Sequence, residues 1–287
     1  MSTLPLAHAF YTNAYGRGRG GFRHLDLRLN AAPADRERFR RWLGGLRPLG
    51  VNAEGVGSDG WVVRAFRSRN ALHAVLARIV PAFARDEFGR GGGFLCHALL
   101  AQLNEGGTVV HHGPALRQTA LRLSPPADLP DRDRLDTLLA SAEKETELHA
   151  PPLSATDLAS LGQDLPEAFL TTVCDIALAS PTAAVLPEPP GDFAEAMLRA
   201  AEVLPPRLQL GFRWATGAAS TGEPATALRM ASRGQQGVGR FGRWVAARLA
   251  AGDAAPVLKI AENWQIRDEA GLGEALETSQ LMGEEES

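Results

Sequence analysis

Residues 86–103 read DEFGRGGGFLCHALLAQL and hold the most chemistry-like spacing in the chain. A glycine triplet, Gly91 to Gly93, follows an arginine, and Cys96 and His97 are neighbours. Three readings suit such residues: a backbone cradle for phosphate, a thiolate–imidazole nucleophile, or a turn feeding a buried strand. A Walker-type loop needs Gly, four residues, then Gly-Lys-Ser/Thr, so that a lysine reaches the phosphates and a hydroxyl holds magnesium. GRGGGFLC supplies neither group. A dinucleotide fingerprint sets its glycines between a strand and a helix. GVGRFG at 237–242 opens a helix with no convincing strand before it, and GRGRGG at 16–21 leads into a strand. A Cys/His nucleophile requires the imidazole within hydrogen-bond reach of the sulfur. Neighbours on a strand point to opposite faces, so Cys96 and His97 cannot serve each other.

The other chemistry-bearing residues are dispersed. His111 and His112 diverge on an extended chain, and His8, His24, His73 and His149 show no metal-ligand spacing. Cys96 and Cys174 lie too far apart in sequence for a zinc or redox motif and read as buried thiols in a reducing compartment. TGAASTGE lacks the GxSxG elbow of a serine hydrolase. Asp131, Asp133 and Asp136 sit where they favour the positive end of a helix. No cofactor and no metal is expected.

Charge points elsewhere. The net charge is only -3, but residues up to Arg90 hold 15 arginines against seven acids and no lysine. The compensating acids are densest in the tail, RDEAGLGEALETSQLMGEEES. A positive N-terminal half suits an acidic protein partner. Nucleic acid is disfavoured, because aromatics make up only 6% of the chain and none interleave with the arginines as base-stacking requires. Arg17, Arg19, Arg36, Arg40 and Arg41 are the expected partner-binding residues. No apolar run approaches the roughly 20 residues of a membrane helix, and the first residues do not read as a secretory signal. A cytoplasmic location is therefore expected.

These residues need a scaffold. LPLAHAFYTN and FRHLDLRLN read as strands, the second with an irregularity near His24, and PADRERFRRWLGGL as a short amphipathic helix ending at Gly44 and Gly45. GWVVRAFRS reads as a strand, ALHAVLARIV as strand or helix, and FLCHALLAQL as a core strand. After SPPADLPDRD the spacing turns helical, through RLDTLLASAEKETEL, SATDLASLG, PEAFLTTVCDIALAS and GDFAEAMLRAAEVL. Alternation resumes in Leu208, Leu210, Phe212 and Trp214. PATALRMAS is expected to pair back onto that strand across GAASTGE, before the helix VGRFGRWVAARLAAG. The expected fold class is α+β: a mixed or antiparallel sheet with a helical segment, about 130–203, packed against it. Residues 1–250 are expected to form one domain, strand-rich to 125, helical over 126–204, then strands and a helix over 205–250. A C-terminal strand or acidic helix and tail follow over 251–287.

Three patches carry a family resemblance: AHAFYTNAYGRGRGGFRHL, FGRGGGFLCHALL and AAEVLPPRLQLGFRWATGA, spread loosely over residues 7–232. In this order the chain resembles the N-terminal domain of bacterial GTPase-associated protein 1. The resemblance implies a non-enzymatic adaptor or scaffold subunit, encoded with Ras-like GTPases in systems directed against phage or other invaders. As a free-standing version it would pair with separate subunits. The family's glycines look architectural, which makes Gly91 to Gly93 a sharp turn. His97 then faces a partner or a polar cluster of Tyr11, Asn13, His24, Arg90 and His97. The alternative is a hydrolase or transferase that brings His97, His24 or Tyr11 together with an acid near the glycine-rich turn.

Overall fold

A computed structural model of the chain describes residues 2–12, 23–29, 31–48, 60–69, 71–82, 93–103, 119, 122, 132–150, 152–181, 183–189, 191–216, 218–220, 226–231 and 239–285. In chain order its elements begin with β1 (Ser2–Thr12), β2 (Arg23–Leu27), α1 (Pro33–Gly45), β3 (Leu46–Pro48), β4 (Gly60–Arg67), β5 (Leu72–Ala82) and β6 (Gly93–Leu103). Then come α2 (Arg132–Lys144), β7 (Glu147–Ala150), α3 (Ala155–Asp164), α4 (Glu167–Ala179), β8 (Ala183–Pro187) and α5 (Phe193–Ala200). A 3-10 turn (Ala201–Val203) leads to α6 (Pro206–Gly211), β9 (Trp214–Thr216), β10 (Ala218–Ser220) and β11 (Thr226–Ala231). The chain closes with α7 (Arg240–Ala250), α8 (Ala255–Ala261) and α9 (Glu269–Glu285). The fold class is α+β, as the sequence implies.

The chain divides into two compact units. The first comprises Met1–Thr108, Ala115–Ala150 and Trp214–Ala227; the second comprises Val109–Pro114, Pro151–Arg213 and Leu228–Ser287. Neither unit is a continuous stretch of chain, so the boundaries at 125, 204 and 250 expected from element type do not coincide with them.

The first unit is built on a sheet in the order β2-β1-β6-β5-β4-β9, with β7 also pairing with β1 and the first residues of β11 beside β9. Its long pairs are antiparallel, with β1 on β6 and β6 on β5. Residues 94–101 of β6 are buried without a break, because both faces of this strand are covered. That explains the near-continuous apolar run FLCHALLA, and it also explains β5. ALHAVLARIV is ambiguous in sequence because a strand buried on both faces loses its alternation; it is a strand. On one face α1 inserts Phe39 and Leu43, spaced i,i+4, into a core with Ala9, Ile79, Phe94, Cys96 and Leu100. Pro33 opens α1, where a missing N–H costs nothing.

In the second unit, Ser154 accepts from the Asp157 N–H while the Asp157 carboxylate takes the Ser154 N–H, a reciprocal cap that fixes the start of α3. α4 is buried nearly all round, and α7 crosses it closely at Gly242. A Cβ there would come within 2.8 Å of the Thr171 backbone. Asp175 of α4 accepts from the Gly239 N–H at 3.0 Å, placing a carboxylate at the positive end of α7.

Four expectations are corrected in detail. The alternating stretch from Leu208 is not one strand: residues 206–211 form α6, and only Trp214–Thr216 is extended. The double proline both stops one helix and starts the next, since its fixed φ suits a first helical turn. β11 lies parallel to β9, not in a hairpin with it, because Ala218–Ser220 depart to pair with β3. The helical segment also contains the short strands β7 and β8. After residue 250 the described residues hold helices and no strand. VLKIA buries Val257, Ile260 and Ala261 at helical spacing.

Candidate functional site

Cys96 and His97 sit on β6 and diverge, as strand geometry requires. Cys96 faces α1 and is fully buried. Burial pushes its thiol well above the usual range, which disfavours the thiolate that a nucleophile needs. His97 lies on the opposite face, with its ring stacked on Phe10 at 4.3 Å. Its Nε2 is 3.0 Å from His8 Nδ1, and His8 Nε2 is 2.9 Å from the Glu145 carbonyl oxygen.

The carbonyl can only accept, so His8 Nε2 must carry a proton and donate it. His8 Nδ1 is then the acceptor in the neutral ring, and His97 Nε2–H donates to it. Burial lowers the His8 pKa to about 4, partly offset by the Glu145 carbonyl and reinforced by Arg28. Burial also holds His97 well below the usual histidine range, helped by His8 and Arg78. Arg28 donates to the Glu143 carbonyl at 2.8 Å. Two strands and one arginine thus grip the C-terminal end of α2. The pair is a buried clasp between neutral rings.

The expected polar cluster divides between the two faces of the sheet. Tyr11 and His24 are cross-strand partners whose rings lie 4.5 Å apart. They pack under α1 at Gly44, where a Cβ would sit 3.2 Å from His24 Nε2. Burial lowers the His24 pKa, against the pull of Asp26. Asp26, two residues on and on the same strand face, pairs through Oδ2 with Arg40 Nε at 2.7 Å. His24 Nδ1 and Asp26 Oδ1 are buried without a hydrogen-bond partner among the described residues. His97 is on the far side of the sheet from this group. Asn13, Arg90, Gly91 and Gly92 lie outside the described residues, and Gly93 begins β6.

The expected partner-binding arginines also separate. Arg17 and Arg19 lie outside the described residues. Arg36 donates to the Leu29 carbonyl at 3.2 Å, and Arg40 is committed to Asp26, so both tie α1 to the end of β2. Arg41 is exposed and makes no hydrogen bond or ion pair among the described residues. Beside it lies a group the sequence reading did not single out. Arg38 is held over the Phe66 ring at 4.9 Å, pairs with Asp35 and donates to the Arg67 carbonyl. The Arg69 N–H donates to Asp35 at 2.8 Å. The Arg38, Arg67 and Arg69 side chains are exposed. Helical spacing could have added Arg38 to Arg41, since Ala34, Glu37, Arg38 and Arg41 form the stripe opposite Phe39 and Leu43. Arg67 and Arg69 could not be found that way, because only the tertiary fold brings them to α1.

No family model, curated protein or solved structure matches the chain. Among the described residues no three metal-ligating side chains converge, and no helix is long and apolar enough to cross a membrane.

Proposed function

We propose that this chain is a non-enzymatic adaptor or scaffold subunit of a cytoplasmic bacterial system associated with a Ras-like GTPase, acting in defence against phage or other invaders. The partner class comes from the resemblance to the GTPase-associated family. The observation that carries the adaptor reading is the set of exposed guanidinium groups around α1: Arg38, Arg41, Arg67 and Arg69. Arg38 is already ordered by Phe66 and Asp35, which reduces the entropy lost when a carboxylate binds. A planar fork makes several directed bonds at once, the reason arginine is enriched in interface hot spots.

The test is the affinity of the full chain for the Ras-like GTPase, or other subunit, encoded beside it. The combined variant Arg41→Ala, Arg69→Ala is expected to weaken binding by about tenfold or more at 0.1 M salt and by much less at 1 M, where screening acts within about 3 Å. An affinity unchanged by the variant in both conditions overturns the reading.

A further inference from the structure

We infer that the arginine face of α1 also receives a second copy of this chain, through that copy's acidic helix α9. This rests on the reading of the α1 face as an interaction surface. After Arg267 the sequence holds seven acids and no basic residue. α9 buries Leu272 and Leu276 and exposes Glu274 and Glu277, so the described part of the helix presents carboxylates outward. Glu277 lies 3.4 Å from Arg240, with both side chains more than half exposed. A pair that exposed holds its members weakly and leaves the carboxylate able to exchange partners.

The chemistry of both faces narrows the occupant. The outward stripe of α1 is Ala34, Glu37, Arg38 and Arg41, flanked by Arg67 and Arg69. Glu37 adjoins the arginines and would oppose a run of phosphates, which disfavours nucleic acid or an anionic membrane. Among the described residues the single exposed large hydrophobic side chain is Val185, on β8, so neither α1 nor the described part of α9 offers an exposed apolar anchor. An association without one is held by charge: weak, rapid and salt-sensitive. Each copy carries both a positive and a negative helix face, so each copy can be donor and recipient of the same contact.

Sedimentation of the full chain over a concentration series tests this at 0.1 M and 1 M salt. Reversible self-association is expected at 0.1 M, weakened by about tenfold or more at 1 M. Arg41→Glu with Arg69→Glu, and separately Glu274→Lys with Glu277→Lys, are each expected to be monomeric. An equimolar mixture of the two variants is expected to associate again, because each reversed face then meets its complement. Circular dichroism melts show whether each variant folds, and Arg41→Ala or Glu274→Ala replaces one that does not. A wild type that is monomeric throughout, association that survives both reversals, or a mixture that stays monomeric overturns the inference. A monomeric wild type that still binds the separately encoded subunit through Arg41 and Arg69 sinks this inference alone and leaves the proposed function standing.

Discussion

Toward α1, β6 presents Phe94, Cys96, Ala98 and Leu100, which close an apolar core with Phe39 and Leu43. Toward the other side the same strand presents His97, stacked on Phe10 and hydrogen-bonded to His8. Both faces are equally dry, yet they are held by different physics. The α1 face depends on volume, so its losses follow the cavity left behind. The histidine face depends on matched donors and acceptors, so its losses follow protonation and unpaired polar atoms. One strand thereby carries an apolar face and a hydrogen-bonded histidine face back to back.

The largest expected effect is on the apolar face. Phe39→Ala should cost about 3–5 kcal/mol, because the ring is fully buried between α1 and the sheet. Urea unfolding measures it, and a cost below about 1 kcal/mol would mean the face is loosely packed.

Both faces carry buried histidines, and the His8–His97 pair should give the larger response to acid; under α1, burial also lowers the His24 pKa. The folded pKa of His8, about 4, lies below its unfolded value of 6.5. Its neutral form is favoured by folding, so the contribution is complete above pH 6.5 and is lost as pH falls toward 4. The loss should reach about 3 kcal/mol at pH 4. His97→Leu should cost about 1–3 kcal/mol at neutral pH by leaving His8 Nδ1 unpaired. It should also alter the slope of stability between pH 6.5 and 4. A slope identical to wild type would show that the two rings are not coupled.

Smaller effects sharpen the contrast. Cys96→Ala removes one buried sulfur and should cost about 1 kcal/mol without touching partner binding. Arg41→Ala should change stability by less than about 0.5 kcal/mol, as an exposed side chain without a hydrogen-bond or ion-pair partner among the described residues does. Thermal melts of the two variants test that ranking.

Much of this scaffold was legible in the sequence. Alternation marked β2, and the pairing of Pro33 with Gly44 and Gly45 bracketed α1. Ser154 signalled the start of α3. The divergence of Cys96 and His97 followed from strand geometry alone. The clasp was not legible, because it depends on the register of β1 against β6, which brings together rings 89 residues apart in sequence. Arg36 and Arg40 show the same limit. Composition marks them as exposed cations, but only the fold reveals a carbonyl and a buried carboxylate within their reach. Residues 206–211 were misread because Leu208 and Leu210 fit either period over so short a span, and the proline that breaks one helix begins another.

The proposed function places recognition on the arginine face of α1, while Cys96 and His97 are buried within the sheet. The most direct measurement is affinity for the proposed partner subunit, taken together with the melting temperature, for Arg41→Glu with Arg69→Glu and for Cys96→Ala. The arginine variant is expected to keep its melting temperature and lose binding, while Cys96→Ala melts slightly lower and binds as wild type does. Loss of function in a fully folded Cys96→Ala, with binding intact in the arginine variant, would contradict the proposed function.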